Sequence, residues 1–500
     1  MDLDAMLLFG AAVLLAAVLS ARLGARMGLP SLLLFLGLGL SLELFDIRMD
    51  DAGLAHALGF AALVFILGEG GFTTRWIDIK GSLTIAGLLA TVGVGVSIVL
   101  MAAFCHLALG LPIPTAVLIG AITAPTDSAA VFSVLRGMPL PARVRSVLEG
   151  ESGLNDAPVV LLTSVATAWS MGELPEGGPW MVAGIIVAEL LGGLLLGVII
   201  GVAGAALLRR VALPAAGLYP LAAMSVVVLS YGVGVWLHVS GFAAVYVSAL
   251  ILGNSHLSHR NATRSFAEGI GWVAQIGLFV MLGMLASPEL LTPRMVINGI
   301  LIGAFLTFIV RPVAVVVCSV WFKVPWREQA FISWAGLRGA VPIIMATVPL
   351  AAGAPAAEAI FEEVLVLVIV FTLLQAPTLP WVAKKLGIAD GEASVDIEVE
   401  VAPLDKIQAD FMQISVPEGS RLHGVTVQEL KLPPFCVIAV ILRQGRPLAP
   451  RSSTRVCVGD ELLMVVPAQD RDRVEELMAR IGRQGRLAGW FEDEDRPSAL

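Results

Sequence analysis

Charge is scarce in this 500-residue chain. Only 14% of its residues are Asp, Glu, Lys or Arg, while 57% are hydrophobic; ordinary soluble domains carry about a quarter charged residues. A soluble all-helical protein of this length would need polar helix faces, and most are missing. The composition excludes a water-soluble core and implies a polytopic membrane protein. Cysteine is sparse too. Cys105, Cys318, Cys436 and Cys457 lie far apart and form no CxxC pair, which argues against a disulfide framework or a zinc site. They read as small buried hydrophobes. No HExxH and no nucleophile–base constellation is evident, so an intramembrane enzyme finds no support. No TVGYG-like carbonyl filter appears, which counts against a channel gated by the C-terminal region. The N-terminus lacks a basic n-region and a small-residue cleavage site, so it reads as a first membrane span and not as a signal peptide.

What the chain does have is a series of apolar runs long enough, or nearly so, to cross about 30 Å of hydrocarbon. They fall at 5–21, 29–42, 53–71, 81–107, 113–135, 147–171, 179–207, 213–236, 240–254, 266–286, 295–320, 326–349 and 358–383, thirteen in all, with the second and ninth short. An odd count puts the N-terminus outside when the C-terminus is cytoplasmic. Fifteen Lys and Arg then occupy inside loops, and only Arg48 and Arg294 occupy outside loops. That is a strong positive-inside bias. Arg311 and Arg338 fall within spans. Beyond Lys385 the character changes. Residues 386–500 carry thirteen Lys or Arg and nineteen Asp or Glu, and contain no further span. Apolar/polar alternation in DFMQISV, FCVIAVIL and DELLMVV predicts strands, RQGRP a turn and RDRVEELMARIGRQ a helix. This is a small cytoplasmic α+β module with a flexible acidic end, WFEDEDRPSAL.

Two spans are interrupted, the fifth at Thr123–Ser128 (TAPTDS) and the twelfth at Gly336–Pro342 (GLRGAVP). Proline removes a backbone donor and glycine weakens a helix. In lipid the freed groups must find partners in protein or in a water-filled cavity. Asp127 and Arg338, one in each break, are 211 residues apart, which fits two six-span repeats joined by the seventh span. Discontinuous helices at matching places in inverted repeats point to a secondary transporter, where broken ends face an ion at mid-membrane.

Charged residues inside the spans are few: Glu69, Asp127, Glu149, Glu151, Asp156, Glu189, Arg311 and Arg338. Each costs roughly 2.5–3.5 kcal/mol at the bilayer centre on insertion scales. Three of the acids crowd the segment EGESGLNDAPVV. Asp156 is the deepest, and Ser152 lies one turn earlier on the same helix face. Their oxygens suit a dehydrated monovalent cation; the same carboxylate can take a proton instead. One site that holds either, never both, is an exchanger by competition. A structural salt bridge is the alternative for Asp156. Asn155 is uncharged, so a single carboxylate titrates and the exchange should be electroneutral. Glu151 with Arg311, and Asp127 with Arg338, can pair and brace the broken helices, leaving Asp156 as the odd acid. Glu69 is a cytoplasmic-side ligand, a funnel charge or a solvated helix end, and Glu149 belongs to the mouth of the same funnel. Glu189 has no assigned role. Gly193, Gly197 and Gly201, at four-residue spacing, indicate close helix packing.

TAPTDSAAV, LEGESGLNDAPVVLL and WAGLRGAVPI together resemble the monovalent cation/proton antiporter family that includes NhaP-type and animal sodium/proton exchangers. The likeness covers nearly all of residues 1–385. Residues 402–485 are similar to the C-terminal half of the potassium-regulating RCK module (TrkA-C), a combination found in bacterial NhaP-type potassium/proton antiporters. The resemblance implies an α-helical NhaA-like fold of about thirteen transmembrane helices in two inverted repeats with crossed broken helices. It also implies a linker at 386–401, a tail at 486–500, a homodimer, and elevator-like alternating access in the inner membrane. The implied activity is electroneutral exchange of potassium, or sodium, for protons. Asp156 is implied as carrier, with Asn155, Ser152 and Thr126 near the ion, and with the Glu151–Arg311 and Asp127–Arg338 pairs. No resident cofactor and no nucleic acid partner is implied. The C-terminal module lacks GxGxxG; dimerisation and gating rank above a small regulatory nucleotide there. Gly153 and Ser128 depart from the family motif, which usually has a larger residue and often a proline at these places, and GEGGF stands where FEGGL is usual.

Overall fold

The computed structural model describes residues 3–27, 30–43, 47–135, 138, 140–173, 178–255, 257, 259–388, 399–404, 409–417, 419–433, 436–467 and 470–484. Most of the expected linker and the whole tail 486–500 lie outside the described residues. The chain divides into two compact units, Met1–Ala389 and Asp390–Leu500.

The first unit is helical. Its principal helices are α1 (Leu3–Met27), α2 (Ser31–Leu42), α3 (Ala52–Thr73), α4 (Leu83–Leu109), α5 (Ile113–Thr123), α6 (Ser128–Val134), α7 (Ala142–Ser170), α8 (Gly178–Arg210), α9 (Leu218–Trp236), α10 (Gly241–Asn254), α11 (Arg260–Leu285), α12 (Pro293–Phe322), α13 (Trp326–Trp334), α14 (Ala340–Ala351) and α15 (Ala357–Lys385). Each of the thirteen expected segments meets one helix, except the fifth and twelfth, which meet two pieces around a break. Among the described residues, six helices are long and apolar enough to cross a membrane: α3, α4, α8, α9, α11 and α12. The short second and ninth segments become α2, with 12 residues, and α10, with 14.

Local chemistry sets several helix ends. Asp51 accepts a hydrogen bond from Leu54 N at 2.9 Å and starts α3, as an N-cap acceptor should. Thr292 accepts from Met295 N at 3.3 Å and starts α12. Gly110, at φ 69°, closes α4 in the left-handed conformation that glycine adopts at little cost. The glycine row of α8 packs on α10, as its spacing requires: a Cβ on Gly197 would lie 2.8 Å from Ala244 O, and one on Gly201 3.0 Å from Ser248 Cα. α10 is almost wholly buried, with Val245, Ala249 and Leu252 fully enclosed. A short helix of this kind needs no long apolar run because protein, not lipid, surrounds it. Two helices contain a wide five-residue turn, Leu89–Gly93 in α4 and Leu306–Val310 in α12.

The second unit is one antiparallel sheet of order β1-β2-β5-β3-β4, with β1 (Val399–Leu404), β2 (Ala409–Ser415), β3 (Val437–Arg443), β4 (Arg446–Leu448) and β5 (Asp460–Pro467), followed by α16 (Arg471–Gln484). β5 alternates buried and half-buried residues along its whole length, the signature of a sheet with one covered face. Met412, Ile414, Ile438, Leu462 and Met464 share a core with Val474, Leu477, Met478 and Ile481 of α16. Gln444 and Gly445, both at positive φ, form the turn joining β3 to β4. One correction concerns the linker. β1 begins at Val399, inside the stretch expected to be a connector, and pairs with β2 from Val399↔Ile414 to Leu404↔Ala409. Its VEVAPL sequence opens on a Val/Glu alternation that does signal a strand, and β2 supplies its hydrogen-bonding partner.

Candidate functional site

The two breaks meet. Ala124–Asp127 separates α5 from α6, and Ala335–Gly339 separates α13 from α14. Asp127 N donates to Leu337 O at 2.9 Å. Arg338 Nη1 donates to Pro125 O at 2.8 Å. A Cβ on Gly339 would collide with the Asp127 carboxylate, so only glycine allows the crossing at this distance. α15 supplies donors for two further carbonyls: Thr372 Oγ1 bonds Arg338 O at 3.0 Å, and Gln375 Nε2 bonds Trp334 O at 3.0 Å. Freed backbone groups at membrane depth must be answered by protein in this way.

The expected Asp127–Arg338 ion pair is corrected by these contacts. The Arg338 guanidinium is on the Pro125 carbonyl, and no ion pair between the two side chains is present among the described residues. Asp127 Oδ1 instead accepts from Ala130 N at 3.2 Å at the start of α6. The physical reason is the break itself. Pro125 O has lost its helical donor, and a guanidinium offers five N–H groups. The two segments are joined through backbone atoms on both sides.

Glu151 and Arg311 form a bidentate pair between α7 and α12. Arg311 Nη2 bonds Glu151 Oε2 at 2.7 Å, and Nη1 bonds Oε1. Both residues are buried. Arg311 runs under the second break, where a Cβ on Gly336 would lie 2.5 Å from its Nε.

A cavity of about 400 Å³ adjoins the crossing. Thr126, Asp127, Ser152, Asp156, Glu69 and Glu149 all line it. The chain therefore gathers six of the expected residues around one space, drawn from α3, α7 and the first break. Asn155 lies just behind, with its Nδ2 donating to Thr126 Oγ1 at 3.0 Å. Glu151, Arg311 and Arg338 are not among the lining residues. Asp156 is 5% exposed. Among the described residues its Oδ1 has no hydrogen-bond partner, and no basic group pairs with it. A buried carboxylate oxygen normally has such a partner, so this atom stands out.

The cavity opens where α3 ends and α11 begins. There Arg264 Nη2 donates to Thr73 O at 2.5 Å and its Nε lies 3.7 Å from Glu268. The Glu69 side chain rests on α11, where a Cβ on Gly271 would be 2.8 Å from its Cγ. Leu63 and Phe279, which line the same cavity, and Ile344 of α14 are at most 1% exposed. Further along, His56 Nδ1 lies 3.2 Å from Thr347 Oγ1. That hydroxyl spends its one proton on Ile344 O at 2.6 Å, so His56 Nδ1 is the donor.

Sequence reasoning missed Arg264, Gln275 and Tyr246, which also line the cavity. The signal was present on α11, where Arg264, Gly271, Gln275 and Phe279 recur at helical spacing. Tyr246 carried none, since it is one aromatic residue in an apolar helix. Thr372 and Gln375, spaced by three in the last span, were visible as a polar pair with no evident task.

Residues 10–385 match the family described as sodium/hydrogen exchanger, transmembrane, and residues 411–479 match the TrkA-C domain. The chain is 32% identical over 503 residues to the K(+)/H(+) antiporter NhaP2 of Shewanella oneidensis, covering 98% of this chain and 86% of that one. It is 32% identical over 481 residues to the K(+)/H(+) antiporter NhaP of Alkalimonas amylolytica, covering 93% and 82%. The solved structure of the sodium proton antiporter MjNhaP1 from Methanocaldococcus jannaschii superposes with a TM-score of 0.67 at 23% identity, over 77% of this chain and 99% of that one. The fold is the same.

Proposed function

Because the chain belongs to the transmembrane sodium/hydrogen exchanger family, it is a membrane-spanning cation/proton antiporter, and we propose that it exchanges potassium for protons, one for one, at Asp156. The observation that carries this reading is the unpartnered Asp156 Oδ1, buried beside the crossed breaks and at the inner end of a cavity lined by other oxygen donors. Ser152 and Thr126 offer neutral oxygens on the same space, and Asn155 orients Thr126 through its amide. Hard monovalent cations prefer such donors. A carboxylate with no fixed counter-charge binds a cation or a proton, and either loaded form has the same net charge. Transport is then electroneutral and insensitive to membrane potential.

Potassium is favoured over sodium by the near full-length likeness to two proteins named potassium/proton antiporters. Access alternates: the cavity that holds Asp156 extends to the end of α3 and the start of α11, one of the two faces the site meets in turn. The reading extends to a homodimer in the bacterial inner membrane. The N-terminus is outside and the TrkA-C module cytoplasmic, supported by the asymmetry of Lys and Arg between alternate loops. Glu69 and Glu149 act as funnel charges on the cytoplasmic side, and cations leave as protons enter.

The test is Asp156→Asn in proteoliposomes loaded with a pH-sensitive dye. Adding potassium salt should collapse an imposed pH gradient with the unaltered chain and leave it standing with the variant, at equal reconstituted amounts. Proton movement at the normal rate in Asp156→Asn would remove the proposal. Parallel runs in sodium, lithium and rubidium salts fix the selectivity.

A further inference from the structure

A second cavity, of about 370 Å³, runs along the seam between α12 and α13. Phe308, Pro312 and Val316 line it from α12, and Trp326, Ala330 and Trp334 from α13. Each set recurs at about four residues, so one face of each helix forms a wall. Phe308, Val316 and Trp326 are exposed at 56%, 47% and 68%, which makes this a groove open on the apolar surface and separate from the Asp156 cavity. Several polar groups in its wall are already engaged: Gln329 Nε2 bonds Val324 O at 2.8 Å, Ser333 Oγ bonds Gln329 O at 2.7 Å, and Trp334 Nε1 bonds Thr378 Oγ1 at 3.0 Å. The groove therefore suits a hydrocarbon chain.

One end is a corner with a different chemistry. α12 finishes in a tight turn at Val320–Phe322, Lys323 takes the left-handed conformation at φ 53°, and α13 starts at Trp326. Lys323 and Arg327 are both exposed there, and among the described residues neither has an acidic partner. The neighbouring acid, Glu328, faces Arg143 at 3.7 Å. The Arg327 guanidinium lies 5.8 Å from the Trp326 ring centroid. Trp321, 81% exposed, adds a second indole in the turn between the two helices. Two uncommitted cations flanked by exposed tryptophans mark the depth of lipid headgroups.

We propose that this groove is a binding site for one anionic glycerophospholipid. Its phosphate sits at Lys323 and Arg327, and one acyl chain lies between Phe308 and Trp334. From Val316 to Phe308 the groove is ~12 Å long by helix rise, enough for a stretch of chain. The site bears on transport through its position. Pro312 follows Arg311, the residue that holds Glu151, and Phe308 lies in the wide turn just before it. An occupied groove supports the helix that carries this pair.

The test is native mass spectrometry of the full chain in detergent, supplied with equal phosphatidylglycerol and phosphatidylcholine. The unaltered protein should retain phosphatidylglycerol in preference. Lys323→Gln/Arg327→Gln should lose the preference while still holding lipid, and Ala330→Trp, which fills the groove, should retain one lipid fewer per chain. An unchanged preference in the charge variant overturns the headgroup assignment. An unchanged lipid count in Ala330→Trp overturns the groove itself. Should Ala330→Trp fail to fold, Ser333→Phe fills the same space and is read in the same way.

Discussion

The ring of Tyr246 occupies the space that a side chain at position 153 would need. A Cβ on Gly153 would lie 2.5 Å from Tyr246 Cε2 and Oη. α10 therefore packs its one tyrosine into a notch on α7, three residues from Asp156. The departure of Gly153 from the family motif and the presence of Tyr246 are one feature seen from two helices. Gly153→Leu should overpack this contact and destabilise the fold by about 1–3 kcal/mol, with exchange reduced. Tyr246→Ala in the same chain should recover much of the loss. Thermal unfolding of the two single variants and the double variant reads the coupling; simple additivity would refute the shared notch.

Arg311 and Glu151 should behave as a unit. Replacing either alone leaves a buried charge without its counter-charge, a loss of about 3–5 kcal/mol. Arg311→Met is expected to lower folded yield sharply, and Arg311→Met/Glu151→Leu to restore it, because two apolar groups can fill the site. Detergent-solubilised yield and thermal unfolding are the measurements. The double variant should still exchange if the pair only braces the helices, since neither residue lines the Asp156 cavity.

Asp460 anchors the C-terminal sheet. It is fully buried. It accepts Arg443 Nε and Nη2, each at 2.8 Å, and Cys457 N at 2.8 Å. Those bonds push the Arg443 guanidinium above its ordinary value. A base raised in the folded state gives stability that is complete below its unfolded value and lost only above its folded value. For arginine both lie in strongly alkaline solution. Asp460→Asn should therefore lower the unfolding temperature of the module by an amount that does not vary between about pH 6 and 10, where arginine stays charged. The loss should be about 1–2 kcal/mol, at the low end for bonds to charged groups because Arg443 is partly exposed. Unfolding scans of the full chain across that range check it.

Much of the membrane unit was legible because lipid forces a simple code on sequence. Apolar length locates helices, basic residues alternate by side, and a proline or a glycine cluster with an in-span charge marks a break. Asp156 and Ser152 could be brought together on that basis; Thr126 joined them only through the family resemblance. The partner of Arg338 could not be read that way. A charge in one break invites pairing with the charge in the other, yet the stronger demand came from an orphaned carbonyl at Pro125, and backbone needs do not appear in a list of side chains. Tyr246 left no signal, and the spacing on α11 that included Arg264 did not say what it faced. They enter the cavity from α10 and α11, helices whose sequences report burial or amphipathicity but not which neighbour they face. In the C-terminal module, β5 and α16 were readable from periodicity, whereas β1, just six residues long and interrupted by Pro403, was passed over as connector.

The wide turns of α4 and α12 have a consequence for motion. Leu89 and Leu306, where they start, are 217 residues apart, so each half of the membrane unit carries one. Such a turn stores one surplus residue that the regular ladder cannot absorb. The surplus can be passed along the helix bond by bond, like a dislocation gliding through a crystal. The segment it crosses then swivels by about 100° while the number of backbone hydrogen bonds is conserved. Both halves thus hold the same built-in slack, and Arg311, seated directly after its turn, is where that slack would first be felt.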